Sequence, residues 1–379
     1  MRISKDLYST QISIISLFIG FIACGLFNQY FPSLRYLSVL ITFVFLLLVL
    51  LKAIHKLRLP SEQVVILFIT LALVQLIFNN ARTAPADFSL FLAIMLGLLL
   101  KNNITSCARY IAIVNVSTVV IMLYELSTFS YLIDQLNNKF EFGRLQGLFS
   151  NSKEAGYYTI AATYYLFSVK RLTRLSMLAL ISIATLSGTR TAILFILVVV
   201  IVQVVASVKI RIAKGIIKNF MLSAFMLTLL GYILTKYYFV DKSAYMLVRI
   251  YNAFNFESSS HKDRLFFWKS YLEEINNYNW YEIFFGAGTK INIILGNGAE
   301  SYYLMILSQY GLITLTAIIS IFILIFIKLK NYDEKIIFVS LLAILLVGRI
   351  GIGWSDGILI WAVFFYTLDS KKRDKIRAT

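Results

Sequence analysis

Five arginines and one glutamate are the residues with which this sequence could do chemistry. Arg144 stands in EFGRLQGLFSNSKEAGYY, Arg190 in LSGTRTAIL, Arg249 in MLVRIYN, Arg264 in HKDRLFFWKSYLEEINNY and Arg349 in LVGRIGIG. A guanidinium presents a planar fork of donors that matches a phosphate or pyrophosphate. Glu300, in GNGAESYYLMILSQY, follows Gly298-Ala299 and opens an apolar helix. A helix N-terminus is a favourable place for a carboxylate, and one there could accept a proton from a sugar hydroxyl. Plainer explanations stand beside these. An arginine can snorkel to an interface or pair with a nearby acid, as Arg349 could with Asp356. Glu300 could simply stabilise its own first turn. Glu141 and Glu154 could also serve as the acid, although Glu154 reads first as a solvated residue at a helix start.

The elements that must hold these side chains are apolar. The chain has 379 residues, of which 59% are hydrophobic and 15% charged, with a mean hydropathy of +0.78. Soluble domains are nearer half apolar and a quarter charged. Many runs approach the roughly 20 apolar residues that cross a bilayer. They are continuously apolar rather than alternating, which argues against a β-barrel. The expected fold is all-α, a single integral-membrane domain over residues 1–379, with about twelve transmembrane helices. Their cores fall at 11–30, 36–54, 62–79, 87–101, 107–127, 155–169, 174–187, 190–208, 217–236, 300–327, 335–348 and 354–368. The first run follows a basic start, lacks a small-x-small cleavage site and reads as a retained signal anchor.

The net charge of +17 does not imply nucleic acid, because the basic residues cluster in short loops between apolar runs. With the N-terminus inside, the inner loops hold Lys52, Lys56 and Arg58; Lys101 and Arg109; Lys170, Arg171 and Arg174; Lys209, Arg211, Lys214 and Lys218; and Lys328, Lys330 and Lys335. The short outer turns hold single residues: Arg35, Arg82, Arg190 and Arg349. This asymmetry predicts an even number of spans, both termini in the cytoplasm and two longer outer loops, 128–154 and 237–299. In the second loop Arg264, Trp268, Tyr271 and Ile275 recur at helical spacing, predicting a helix that starts at Ser260 or Asp263 and lies on the membrane surface or over the bundle. Gly286, Gly288, Gly296 and Gly298 then mark turns. Cys24 and Cys107 read as packing residues rather than a disulfide framework or metal site. His55 and His261 belong to no metal-ligand set, and no P-loop or dinucleotide fingerprint occurs, so neither metal nor cofactor is expected. The turn from Phe31 to Arg35 contains no acid, which argues against a metal-dependent lipid-sugar transferase with a carboxylate in its first outer loop.

Four stretches in order resemble the O-antigen ligase and polymerase superfamily, of which the Wzy-type membrane glycan polymerases are part. GRLQGLFSNSKEAGYY resembles that family's R-x-x-G-x-F-x-N-x-x-x-A/G stretch entering a helix, and LSGTRTAIL its S-x-[ST]-R-[TG]-A motif at an outer turn. DRLFFWKSYLEEI with FFGAGT resembles the R-x-x-x-W helix and the following G-x-G, and GAESYYLMILSQYGLI the aromatic-rich helix start with its closing G-[LI]. The similarity covers about residues 140–320. Ligases usually show His-Asn or His-Ser where this chain has Glu300-Ser301, so a polymerase is the closer parallel. The resemblance implies a glycan donor on undecaprenyl pyrophosphate, a second lipid-linked repeat unit as acceptor, and transfer at the outer, periplasmic face of the bacterial inner membrane. It implies Arg190, Arg264 and Glu300 as catalytic residues. It gives Arg144, Arg249, Trp268 and Tyr303 to substrate binding, with Tyr271, Trp280 and Tyr281 as further sugar platforms. The aromatics read equally as an interfacial belt or loop core. Membrane lipids, a chain-length regulator and a flippase are the implied partners. An O-antigen ligase acting on lipid A-core and a lipid-linked sugar flippase or transporter are the alternatives; the latter is expected to show repeat halves, which the sequence lacks.

Overall fold

The computed structural model describes residues 60–78, 89–101, 104–128, 145–149, 151–208, 259–288, 290–295, 301–348 and 354–369. In chain order the helices are α1 (Pro60–Phe78), α2 (Ser89–Leu100), α3 (Ile104–Thr128), α4 (Ser152–Ser168), α5 (Arg174–Leu186), α6 (Arg190–Val208), α7 (Ser259–Ile275), α8 (Trp280–Phe285), α9 (Lys290–Leu295), α10 (Tyr302–Met305), a π-helical turn (Ile306–Tyr310), α11 (Gly311–Lys328), α12 (Tyr332–Val347) and α13 (Trp354–Leu368). The fold is all-α, with no strand among the described residues. Two stretches in this part, Ile104–Thr128 and Tyr302–Lys328, are long and apolar enough to cross a membrane. The helices expected at 62–79, 87–101, 107–127, 155–169, 174–187, 190–208, 335–348 and 354–368 form within a few residues of those limits, as does the loop helix expected from Ser260. The expected spans 11–30, 36–54 and 217–236 lie outside the described residues, as do Cys24, His55, Gly296 and Gly298.

The chain divides into two compact units. The first comprises Met1–Cys107, Ser259–Lys330 and Leu342–Thr379. Its most extensive helix pair is α2 with α13. A Cβ on Gly97 would lie 2.7 Å from Trp361 Cβ and 2.9 Å from Ala362 N, so glycine permits this approach. Aromatic rings fill the centre: Trp361 meets Phe68 at 5.7 Å and Phe364 at 5.5 Å, and Phe364 meets Phe322 at 5.6 Å. Beyond the end of α2, Lys101 Nζ reaches Asp369 Oδ2 at 2.6 Å and also donates to Ser61 Oγ. Ser61 Oγ donates to the same carboxylate oxygen at 2.7 Å. Lys101, counted above among loop charges, is therefore a buried ion-pair partner.

The second unit comprises Ala108–Ser258 and Asn331–Leu341. Along α3 several polar side chains lie inside and several large apolar ones outside. Asn115, Thr118 and Glu125 are fully buried, whereas Ile113 is 61% and Val120 59% exposed. Leu194, Ile201 and Val205 of α6 are exposed as well. Helix ends follow local chemistry. Asn151 Oδ1 accepts from Glu154 N at 2.9 Å and caps α4. Thr173 Oγ1 accepts from Ser176 N at 3.2 Å and caps α5. Lys170, at φ 56, ends α4 as Arg171 N returns to Leu166 O at 2.9 Å, satisfying a last-turn carbonyl.

Candidate functional site

In the second unit the Arg144-containing stretch and the Arg190-containing stretch are brought together. Residues 145–149 form a turn closed by Phe149 N donating to Gln146 O at 3.1 Å. Leu145 N donates to Leu186 O, the last residue of α5, at 2.9 Å. Gly188, at φ 63, makes the turn from α5 to α6, and Arg190 is the first residue of α6. Thr189 Oγ1 donates to Ser152 O at 3.1 Å and accepts from Ser187 Oγ at 3.1 Å. A Cβ on Gly156 would fall 2.3 Å from the Thr189 side chain, so Gly156 lets α4 pass against the turn. Two helix N-termini, those of α4 and α6, thus meet beside Arg190, and the positive ends of their dipoles favour an anion. Arg190 is half-buried. A cleft of about 340 Å³ lined by Lys170, Gln203, Asp333 and Glu334 lies at the far end of α4–α6 and does not serve this cluster.

In the first unit the other two stretches are joined. Ala287 N donates to Ser308 O at 2.9 Å and Gly288 N to Gln309 O at 3.2 Å. The tenth expected span, 300–327, is not a uniform helix. It widens into a π turn at Ile306–Tyr310 and breaks at Gly311, φ 82. Carbonyls at the break are taken by N–H groups of the FFGAG segment, as an apolar surrounding demands. A Cβ on Gly286 would lie 2.2 Å from Gln309 O, and one on Gly311 would lie 2.3 Å from Phe284 O. Gly286 and Gly288, at φ 85 and 59, make the expected turns. Such π turns recur at functional sites.

The inward face of α7 carries Arg264, Trp268, Tyr271 and Ile275, as their spacing predicts, while Leu265, Phe266 and Leu272 are exposed. Trp268 Nε1 is buried with no hydrogen-bond partner. Tyr271 is fully buried, so its ring belongs to the packing of α7 rather than to a surface on which a sugar could stack. Trp280 is 68% exposed, and its ring lies 6.0 Å from that of Tyr281. Tyr303 is half-buried and donates its hydroxyl to Leu342 O at 3.2 Å. Asn279 and Glu282 form a capping box on α8. Tyr278, between α7 and α8, is buried with an unpartnered hydroxyl. Burial first, and then Glu274, Glu282 and Tyr271, raise its pKa above the ordinary phenol value.

Arg190 therefore stands in one unit and Arg264, Trp268 and Tyr303 in the other. Glu300, Arg144, Arg249 and Arg349 lie outside the described residues. Among the described residues no cluster of three or more His, Cys, Asp or Glu could hold a metal. Sequence reasoning missed Glu125, whose Oε2 accepts Gln146 N at 3.1 Å and Gly147 N at 3.0 Å. A lone acid near the end of an apolar run was the available signal. Comparison with protein-family models, with curated proteins and with solved structures gave no match.

Proposed function

We propose that this chain is a multi-pass inner-membrane glycosyltransferase that polymerises undecaprenyl-pyrophosphate-linked repeat units into O-antigen or a related surface polysaccharide. The bundle has about twelve spans, with both termini cytoplasmic and the site at the periplasmic face. The observation that carries the reading is the pairing of the four resembling stretches. The first two interlock through Leu145–Leu186 and Thr189–Ser152, the last two through Ala287–Ser308 and Gly288–Gln309. Each junction thus brings two of the resembling stretches to one place by backbone or side-chain hydrogen bonds. The large apolar side chains that α3 and α6 leave exposed, among them Ile113, Val120, Ile201 and Val205, support lipid as the surrounding medium.

The chemistry needs no metal. The acceptor hydroxyl attacks the anomeric carbon of the donor sugar and forms the glycosidic bond. The bond from that carbon to the pyrophosphate oxygen breaks, and undecaprenyl pyrophosphate leaves with the electron pair. Glu300 takes the hydroxyl proton. Arg190 and Arg264 meet the charge growing on the leaving group, where loss of one such donor typically costs about 10²–10³ in kcat. Arg144 and Arg249 hold phosphate or sugar, and Trp268 and Tyr303 line the glycan path.

The test is surface-polysaccharide length in a strain lacking the protein and complemented with wild type, Glu300→Gln, Arg190→Ala or Arg264→Ala at matched membrane abundance. Single repeat units on the surface lipid core, without long chains, are expected in the deletion strain and in all three variants. Loss of every attached unit with lipid-linked long chains accumulating would assign the ligase reaction instead. Normal chains in the deletion strain, with no second polymerase present, would reject the reading.

A further inference from the structure

The last turn of α3 contains a fully buried acid, Glu125. One carboxylate oxygen receives two consecutive backbone N–H groups, those of Gln146 at 3.1 Å and Gly147 at 3.0 Å. Gly147 adopts φ +59, and a Cβ there would come within 2.8 Å of Thr118 Cγ2 and 3.1 Å of Thr118 O. The turn is thus seated directly on α3, with the acid as its hook. The residue before the hooked pair, Leu145, donates to Leu186 O at 2.9 Å, at the end of α5. The turn Ser187–Thr189 follows, its own hydroxyls bonded to each other and to Ser152 O, and then comes Arg190. Hydrogen bonds alternating with short lengths of backbone therefore join Glu125 to the turn that presents Arg190.

We propose that Glu125 is a positioning residue: it fixes the 145–149 turn on α3 and, through Leu145 and Leu186, sets the aim of Arg190 toward the donor pyrophosphate. The proposal rests on the polymerase reading for its substrate. The acid does not touch the reacting atoms; it acts as an acceptor for backbone N–H groups. Glutamine keeps an oxygen acceptor at the same reach, whereas leucine removes it and fills similar volume. A misplacement of about 1 Å at a reacting centre can cost on the order of 10²-fold in rate.

The experiment compares Glu125→Leu, Glu125→Gln and wild type, reconstituted in liposomes with undecaprenyl-pyrophosphate-linked repeat units and normalised to folded protein. Expected are a fall in kcat on the order of 10²-fold for Glu125→Leu, a KM within about threefold, and Glu125→Gln within about threefold of wild type in both. A purely structural role would lower the yield of folded protein and leave kcat unchanged. Wild-type kcat in Glu125→Leu overturns the proposal, and so does equal damage from Glu125→Gln, which would make the charge itself the requirement. If Glu125→Leu does not accumulate, Gly147→Ala, which presses a Cβ onto Thr118, carries the same expectation and is judged the same way. A second readout is independent of catalysis. In a background with Cys24 and Cys107 changed to serine, Leu145→Cys with Leu186→Cys should form a disulfide on oxidation. Adding Glu125→Leu, or Gly147→Ala in its place, should slow that reaction at least about fivefold by freeing the turn. Unchanged cross-linking overturns the positioning role even if the wild-type protein makes no polymer, which would reject the function alone.

Discussion

Replacing Gly286 by alanine should break the junction between the FFGAG segment and the π turn. Gly286 sits at φ 85, ψ 159, a region used almost only by glycine. Forcing alanine into it costs about 1–3 kcal/mol. The added Cβ would meet Gln309 O at 2.2 Å and Gln309 C at 2.4 Å. Both are backbone atoms that no rotamer change can move, so the two segments must separate. Separation removes the Ala287–Ser308 and Gly288–Gln309 hydrogen bonds, each worth about 1 kcal/mol net. The sum is about 3–5 kcal/mol, a large part of the roughly 5–15 kcal/mol that holds a typical domain folded. Gly288→Ala, at φ 59, supplies a graded comparison with about 1–2 kcal/mol from conformation alone. Unfolding of the detergent-purified protein by SDS titration measures both. A Gly286→Ala protein that unfolds at the wild-type midpoint would refute the claim that close backbone approach organises this junction.

Three further outcomes follow from the geometry. Lys101→Met should destabilise by about 3 kcal/mol because it leaves the Asp369 carboxylate with the Ser61 donors but without its cation, and the double variant with Asp369→Leu should recover most of the loss; a double variant no better than the single would count against the ion pair. Tyr278→Phe should be neutral or stabilising by up to about 1 kcal/mol at neutral pH, since it removes an unpartnered buried hydroxyl. Because the folded-state pKa of Tyr278 is raised, its neutral form favours folding below the unfolded phenol value, and that contribution is lost as pH rises through the folded value. Wild type should therefore lose stability above about pH 10, with Tyr278→Phe losing less, as thermal unfolding across alkaline pH would reveal. Asn151→Ala should cost about 1 kcal/mol through loss of the α4 cap, read in the same SDS titration; an unchanged midpoint would remove the cap from the account.

Helix positions were legible because an apolar run of helical length leaves few other structures open. Arg190–Val208 and Trp354–Leu368 form almost to the residue. The loop helix was legible for another reason: Arg264, Trp268, Tyr271 and Ile275 repeat at its period, and that face turns inward. What escaped notice depends on partners far along the chain. Lys101 read as a loop charge because its acid, Asp369, lies 268 residues away. Glu125 escaped because the N–H groups it holds, those of Gln146 and Gly147, are backbone groups, which leave no side-chain signature in sequence. The break at Gly311 escaped because hydropathy does not distinguish an α turn from a π turn. Gly286 and Gly288 were recognised as turn formers, but not that Gly286 is required by the carbonyl of Gln309.

The most direct test of the central claim is turnover by the purified protein. Liposomes containing the protein and undecaprenyl-pyrophosphate-linked repeat units of the parent strain would be assayed for glycan length and for free undecaprenyl pyrophosphate. The account predicts a ladder of products, with one undecaprenyl pyrophosphate released per bond formed. It also predicts losses on the order of 10²-fold or more in Glu300→Gln, Arg190→Ala and Arg264→Ala at equal folded protein. Repeat units left unjoined by folded wild-type protein, or a full ladder from all three variants, would contradict it.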